Sequence, residues 1–336
     1  MPGPALSHEV ILIVGATGFA GGALTRELLK RGKRVRILVR PTSDATALRS
    51  AGAEVIPGDI TSAEDVARAV ETSTTVYNFA SPFRSAKPTD AYFRAVNVEG
   101  VRNIIAAVRR FNVGRFVHCS TIGVHGDVKE IPCRESSPYN PGDIYQQTKL
   151  EADLLLQEEM RMGFPAVIMR PCSMYGPGDT RMLKMFRHIQ SGRWFTIGDG
   201  QAWFHPAYID DLVEGFIRCG EHPDAVGGIF ILAGMEPVRL STLVQEVAHS
   251  LGVRVPTRKL PLRPLLVAAR LCEGICRPLG IEPPLHTRRV RFFTNNRYFD
   301  GSHARAVLGY SPQIALCDGL KQTVAWYTAN GHLAAK

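Results

Sequence analysis

Residues 11–22 read ILIVGATGFAGG, three glycines spaced three apart directly behind a run of aliphatic residues. The aliphatic run predicts a buried strand, and residues 24–30 beyond the glycines keep a helical period. In such a strand–turn–helix the first glycine, Gly15, makes the tight turn. The second, Gly18, lets a pyrophosphate approach the backbone, and the third, Gly21, lets helix and strand pack closely. The free amides at the start of the helix then face phosphate. The stretch is therefore expected to hold a dinucleotide against Gly15, Thr17, Gly18, Phe19, Ala20 and Gly21.

Outward from this turn, short β-branched runs alternate with longer stretches of helical period. Strands are expected over 10–14, 35–39, 54–56, 75–79, 115–119 and 166–169, with helices over 18–31, 89–110 and 143–161. That alternation specifies an α/β protein with a parallel sheet covered on both faces. Beyond Pro171 the pattern loosens into glycine- and proline-rich loops, with helices expected over 180–191, 210–219 and 240–251. The expected division is a dinucleotide lobe over 1–170 and a smaller, mainly substrate-binding lobe over 171–336 with room to return elements to the sheet.

Composition narrows the class. The chain has 336 residues, 45% hydrophobic and 21% charged, enough for a sizeable core. No run reaches the roughly 18 apolar residues that a membrane span needs, and residues 1–9 lack the shape of a secretory signal. A cytoplasmic location is expected. Seven scattered cysteines suggest reduced thiols rather than a disulfide framework, and Cys272 and Cys276 have no second pair with zinc spacing. No metal site is expected. The net charge of +9 suits a phosphate-bearing cofactor or an anionic partner, but the cations are dispersed, which argues against nucleic acid.

The end of the second expected strand, LVRPTSD at 38–44, places Arg40 where a ribose 2′-substituent is read, with Thr42 and Ser43 nearby. A carboxylate there suits a free 2′-hydroxyl, whereas a guanidinium suits a 2′-phosphate. NADP is the expected cofactor. NAD stays open, since an arginine lying on adenine is compatible with it. GDI at 58–60 offers Asp59, beside Ile60, to the adenine amino group, unless Asp59 merely caps the helix starting near Ser62.

YQQTK at 145–149 sets Tyr145 and Lys149 four apart, on one face of a helix. HCSTIG at 118–123 supplies Ser120 and Thr121 at the end of the fifth strand. A nearby ammonium and a cationic nicotinamide ring would favour phenolate and make Tyr145 an acid and base. Lys149 would hold the nicotinamide ribose and Thr121 would polarise the substrate oxygen.

With GATGFAGG, GDI, NVEG at 97–100, STIGVHG, YQQTK, RPCSMYGPGD and the closing FD…LGY in this order, the chain resembles the extended short-chain dehydrogenase/reductases, the epimerase/dehydratase superfamily. The resemblance covers nearly the whole length. It implies a Rossmann-type doubly wound sheet, a Thr121, Tyr145 and Lys149 catalytic set, and hydride transfer at a carbinol or carbonyl. It further implies Asn97 in the cofactor and proton-relay framework, Ala80 and Ser81 near the nicotinamide ribose, and Pro171 to Ser173 near the carboxamide. A homodimer through the two long helices is also implied.

Departures from the pattern select among chemistries. Ile122 and Gly123 stand where sugar dehydratases carry Asp and Glu, and decarboxylating relatives use a Glu at the place of Gly123, so those routes are not expected. Ser173 replaces the Asn, and Phe204 the Arg, with which nucleotide-sugar enzymes grip their substrate. Two readings remain. One is an alcohol dehydrogenase or ketone reductase with an apolar substrate, like the 3β-hydroxysteroid dehydrogenase and dihydroflavonol reductase branch, with Trp194, Trp203 and Phe204 as pocket wall. The other is a nucleotide-sugar epimerase with tightly bound NAD, in which Arg288, Arg289 and Arg291 replace the missing arginine. His118 and His125 are expected to be packed or hydrogen-bonded, and the apolar segment 264–278 to pack on the substrate lobe or lid the pocket rather than meet a membrane.

Overall fold

The computed structural model describes residues 9–82, 89–276, 285 and 287–334. Seven strands form one sheet in the spatial order Ile229–Leu232, Ala166–Pro171, Arg115–Cys119, Thr75–Asn78, Val10–Val14, Arg34–Val39 and Glu54–Pro57. Every pairing is parallel. The glycine-preceding strand Val10–Val14 is central and buried at every position. Its alternate side chains serve two cores: Ile11 and Ile13 point to one face, Leu12 and Val14 to the other. Phe19–Lys30 and Ile209–Glu221 cover the first face, linked by the Arg31–Glu214 ion pair at 2.9 Å. Ala63–Val70, Gly100–Arg110 and Ile144–Arg161 cover the second.

The chain lays down three strands in one direction, then crosses back to Thr75–Asn78 on the other side of Val10–Val14. A crevice opens beyond the carboxyl ends of strands at such a reversal, where ligands of open α/β sheets bind. The expected Rossmann-type architecture is present. The final strand, Ile229–Leu232, comes from beyond Pro171 and pairs with Ala166–Pro171, so the later half contributes to the sheet itself.

The stretch 89–110, expected as one helix, is interrupted. Between Asp90–Arg94 and Gly100–Arg110 lies a π-helical segment, Ala95–Glu99. The wider turn adds a residue to the inner face and buries Val96, Asn97 and Val98 together. Within it the Asn97 amide donates to Thr148 Oγ1 at 2.9 Å.

Candidate active site

A cleft of about 430 Å³ lies at the carboxyl ends of the strands, with the glycine turn as its floor. Gly15 has φ +85°, and a Cβ there would stand 2.6 Å from the Ala80 backbone nitrogen. A Cβ on Gly21 would stand 2.4 Å from the Gly15 carbonyl oxygen. Both positions therefore require glycine if helix and strands are to approach this closely. Gly18, Thr17, Phe19 and Ala20 complete the floor.

Arg40 and Ser43 line one end. Arg40 donates to the Tyr92 hydroxyl at 3.0 Å, which holds the guanidinium at the rim. Asp59 and Ile60 stand beside them. Ser62, not Asp59, caps the following helix, accepting from the Asp65 amide at 3.2 Å. Asp59 instead accepts from the Thr61 amide and hydroxyl, both at 2.9 Å, so the capping alternative is excluded. Along the wall come Ala80 and Ser81; the Ser81 hydroxyl is buried with no partner among the described residues. An orphaned hydroxyl in a cleft wall fits a ribose, so the residues present suit a nicotinamide dinucleotide.

Tyr145 and Lys149 close the far end. Their helix starts at Ile144 because Asp143 accepts from the Gln146 amide at 2.9 Å, which puts Tyr145 in the first turn. The Thr121 hydroxyl stands beside Tyr145 and favours its ionised form. Thr121 Oγ1 also accepts from the Gly123 amide at 3.0 Å. Lys149 is buried and donates to the Cys119 carbonyl at 2.8 Å. Burial pushes the Tyr145 phenol above its ordinary value; the Thr121 hydroxyl and the charge of Arg181 pull the other way. Burial likewise lowers the Lys149 ammonium, with Cys119 and Asp153 opposing. Arg181 is thus a second cation, beside Lys149, whose charge favours phenolate.

Sequence reasoning missed Arg181. It lines the same cleft, donates to Asp179 Oδ1 at 2.7 Å and to the Met174 carbonyl at 2.9 Å, and lies over the Phe19 ring at 5.1 Å. Its position just past RPCSMYGPGD was the available signal, but no periodicity relates it to Tyr145.

Four other expected site residues stand outside the cleft wall. Thr121 stands beside Tyr145, which lines it. Asn97 sits a layer behind, against Thr148. Pro171 ends its strand, buried, and Ser173 donates its amide to the His205 carbonyl at 3.0 Å. His118 and His125 are both buried, and His125 uses both ring nitrogens, to Arg170 and to the Pro138 carbonyl. Among the described residues no cluster could hold a metal ion. Phe204 packs on Phe292 at 6.1 Å and Trp194 on Phe293 at 5.6 Å, making an aromatic wall from residues beyond Pro171. The side chains of Arg288 and Arg289 lie outside the described residues; that of Arg291 approaches Gly142, just before the helix of Tyr145.

The model of the NAD dependent epimerase/dehydratase family matches residues 11–233. The chain belongs to that family. As a member of the extended short-chain dehydrogenase/reductases it is an enzyme that moves hydride between a nicotinamide cofactor and a secondary alcohol or ketone. It is 28% identical to a 3beta-hydroxysteroid-dehydrogenase/decarboxylase (isoform 1) of Arabidopsis thaliana, over 97% of this chain and 80% of that protein. It is 29% identical to a 3-beta-hydroxysteroid dehydrogenase of Mycolicibacterium neoaurum, over 95% and 91%. The crystal structure of gox2253 superposes with a TM-score of 0.84 at 29% identity, covering 97% of this chain and 99% of that one.

Proposed function

We propose that this family member is an NADP(H)-dependent dehydrogenase or ketoreductase of an apolar, steroid-like secondary alcohol or ketone, with Tyr145 as its acid and base. The observation that carries the reading is Tyr145 and buried Lys149 lining together the cleft that the glycine turn floors, with the Thr121 hydroxyl beside Tyr145. A bound nicotinamide supplies or accepts the hydride. Tyr145, held protonated by burial, gives its proton to the oxygen of a reacting carbonyl. Thr121 Oγ1 accepts from Gly123, which leaves its own proton to donate to the same oxygen. Lys149 spends one N–H on the Cys119 carbonyl and keeps two for ribose hydroxyls.

Arg40 and Ser43 at the rim support the 2′-phosphate. The buried Phe204, in place of an arginine, and the aromatic wall support an apolar substrate. The steroid class rests on the names of the two relatives above. The seven free cysteines support a cytoplasmic enzyme. Ion pairs Arg94–Glu151 and Arg109–Glu159 hold the two long helices side by side, and Leu154 on the second and Met162 just past its end remain exposed, a face suited to a homodimer.

The test is turnover of purified protein on 3-oxosteroids with NADPH or NADH added, and on 3-hydroxysteroids with NADP+ or NAD+ added. Consumption of NADPH matched to product supports the reading. Protein that purifies with NAD bound and interconverts UDP-sugars without added cofactor replaces it with the epimerase. Tyr145→Phe is expected to lose about 10² to 10⁴ in kcat; a loss below tenfold moves the acid–base role elsewhere. Arg40→Ala is expected to lower kcat/KM for NADPH about 10- to 100-fold while leaving NADH nearly unchanged, and an equal loss with both coenzymes removes Arg40 from 2′-phosphate recognition.

A further inference from the structure

The helix Leu262–Cys276 packs by one side. Leu262, Leu265, Leu266 and Ala269 meet Ile197, Val290 and Phe293. On the opposite side Val267, Leu271 and Ile275 are 55%, 62% and 64% exposed. These three lie one turn apart on a single stripe, with Pro264 and Ala268 exposed alongside. A lid on the pocket would bury this stripe, and a helix adapted to water would carry charge there. A further exposed aromatic, Phe195, leads into Thr196–Ile197, which pairs with Lys259–Leu260 at the foot of the helix.

Cations frame the stripe. Arg258, Lys259, Arg263 and Arg270 are all exposed, and residues 253–272 contain no Asp or Glu. Glu273 is turned inward, its carboxylate accepting from the Thr287 amide at 2.9 Å and hydroxyl at 3.0 Å. Asp199, exposed beside Gly198, has one oxygen engaged by the Gln201 amide. An apolar stripe bounded by cations on one short helix is the pattern of an element lying in a lipid headgroup layer. Two copies apposed through it would face arginine to arginine with no acidic partner on the helix face. No helix among the described residues is long and apolar enough to cross a membrane.

We propose that this face docks the enzyme on the surface of an anionic phospholipid bilayer, with Val267, Leu271 and Ile275 entering the acyl boundary and Arg263 and Arg270 meeting headgroup phosphates. Behind the helix, Phe293 contacts Trp194 and Phe292, and Phe292 contacts Phe204. The docked face therefore backs directly onto the aromatic wall beyond Pro171. Docking does not depend on the substrate reading, since it is measured by binding alone.

The experiment is flotation of the full chain with vesicles of phosphatidylcholine, with and without phosphatidylserine, alongside sedimentation velocity without lipid. The expected result is co-flotation with the phosphatidylserine vesicles that weakens at high salt. V267S/L271S/I275S should abolish it with thermal unfolding and NADPH binding unchanged. R263Q and R270Q should each weaken partitioning roughly fivefold. Absence of flotation, or equal flotation of the triple-serine variant, overturns the proposal. So does a wild-type oligomer that the triple-serine variant dissolves while neither floats; that result assigns the stripe to a second copy.

Discussion

At the residue scale, the three glycines of the turn divide into two kinds. Gly21 is fixed by packing: a Cβ there would lie 2.4 Å from the Gly15 carbonyl oxygen, and backbone cannot yield that much without parting helix from strand. Gly18 is different, since a Cβ on it would meet only that same oxygen at 3.3 Å, and its open side faces the cleft. Gly21→Ala should therefore destabilise the fold, by about 1–3 kcal/mol on the scale of overpacking, read as a lower urea midpoint. Gly18→Ala should leave that midpoint within about 0.5 kcal/mol and weaken NADPH binding at least tenfold, measured by fluorescence titration. If both variants lose stability alike, the distinction between packing glycine and ligand glycine fails.

At the element scale, the helix of Tyr145 is held to the sheet by a buried ion pair. Arg170 on Ala166–Pro171 donates to Asp153 at 3.0 Å, and both side chains are fully buried. Arg170 also bonds the Tyr139 hydroxyl at 2.9 Å, His125 at 3.1 Å and the Glu135 carbonyl at 3.2 Å. Removing one partner leaves an uncompensated charge in the core, so Arg170→Met should cost about 3–5 kcal/mol. Adding Asp153→Leu should recover much of that loss in urea denaturation. A double variant as unstable as the sum of the singles would show that the pair acts through its other bonds instead. This network was not legible in the sequence, where Asp153 looks like one more acid on a helix and Arg170 like the lead residue of a motif. The strands were legible because β-branched runs between turns report burial directly. The glycine turn and the Tyr145–Lys149 spacing were legible because the chemistry depends on local geometry. The π-helical segment at Asn97 and the approach of Arg181 to Tyr145 were hidden because both arise from contacts between elements distant in sequence.

For the whole molecule, acid should lower stability through two buried histidines, one on each side of Pro171. His205 accepts from the Phe299 amide at its Nδ1, 3.3 Å away, and its Nε2 lies 3.2 Å from the Gly234 carbonyl. Those partners assign the neutral tautomer with its proton on Nε2. His125 is fixed in the same manner: Arg170 donates to Nε2, so the proton sits on Nδ1 toward the Pro138 carbonyl. Burial first, and for His125 the charge of Arg170 second, lower each from 6.5 to about 4. Between about pH 6.5 and about pH 4 the unfolded chain therefore binds protons that these folded-state histidines refuse, and stability falls as acid is added through that window. The difference corresponds to roughly 3 kcal/mol per histidine at the acid end. Asp300, whose carboxyl is held below its ordinary 3.8 chiefly by the Ser302 hydroxyl, adds its own loss only below this range. Asp153 opposes the trend, because burial raises its carboxyl. The measurement is the urea midpoint from pH 7 down to pH 4 for the wild type and for His125→Gln and His205→Gln. Each variant should be less stable at neutral pH yet show a shallower decline; slopes parallel to the wild type would mean that other groups carry the acid sensitivity.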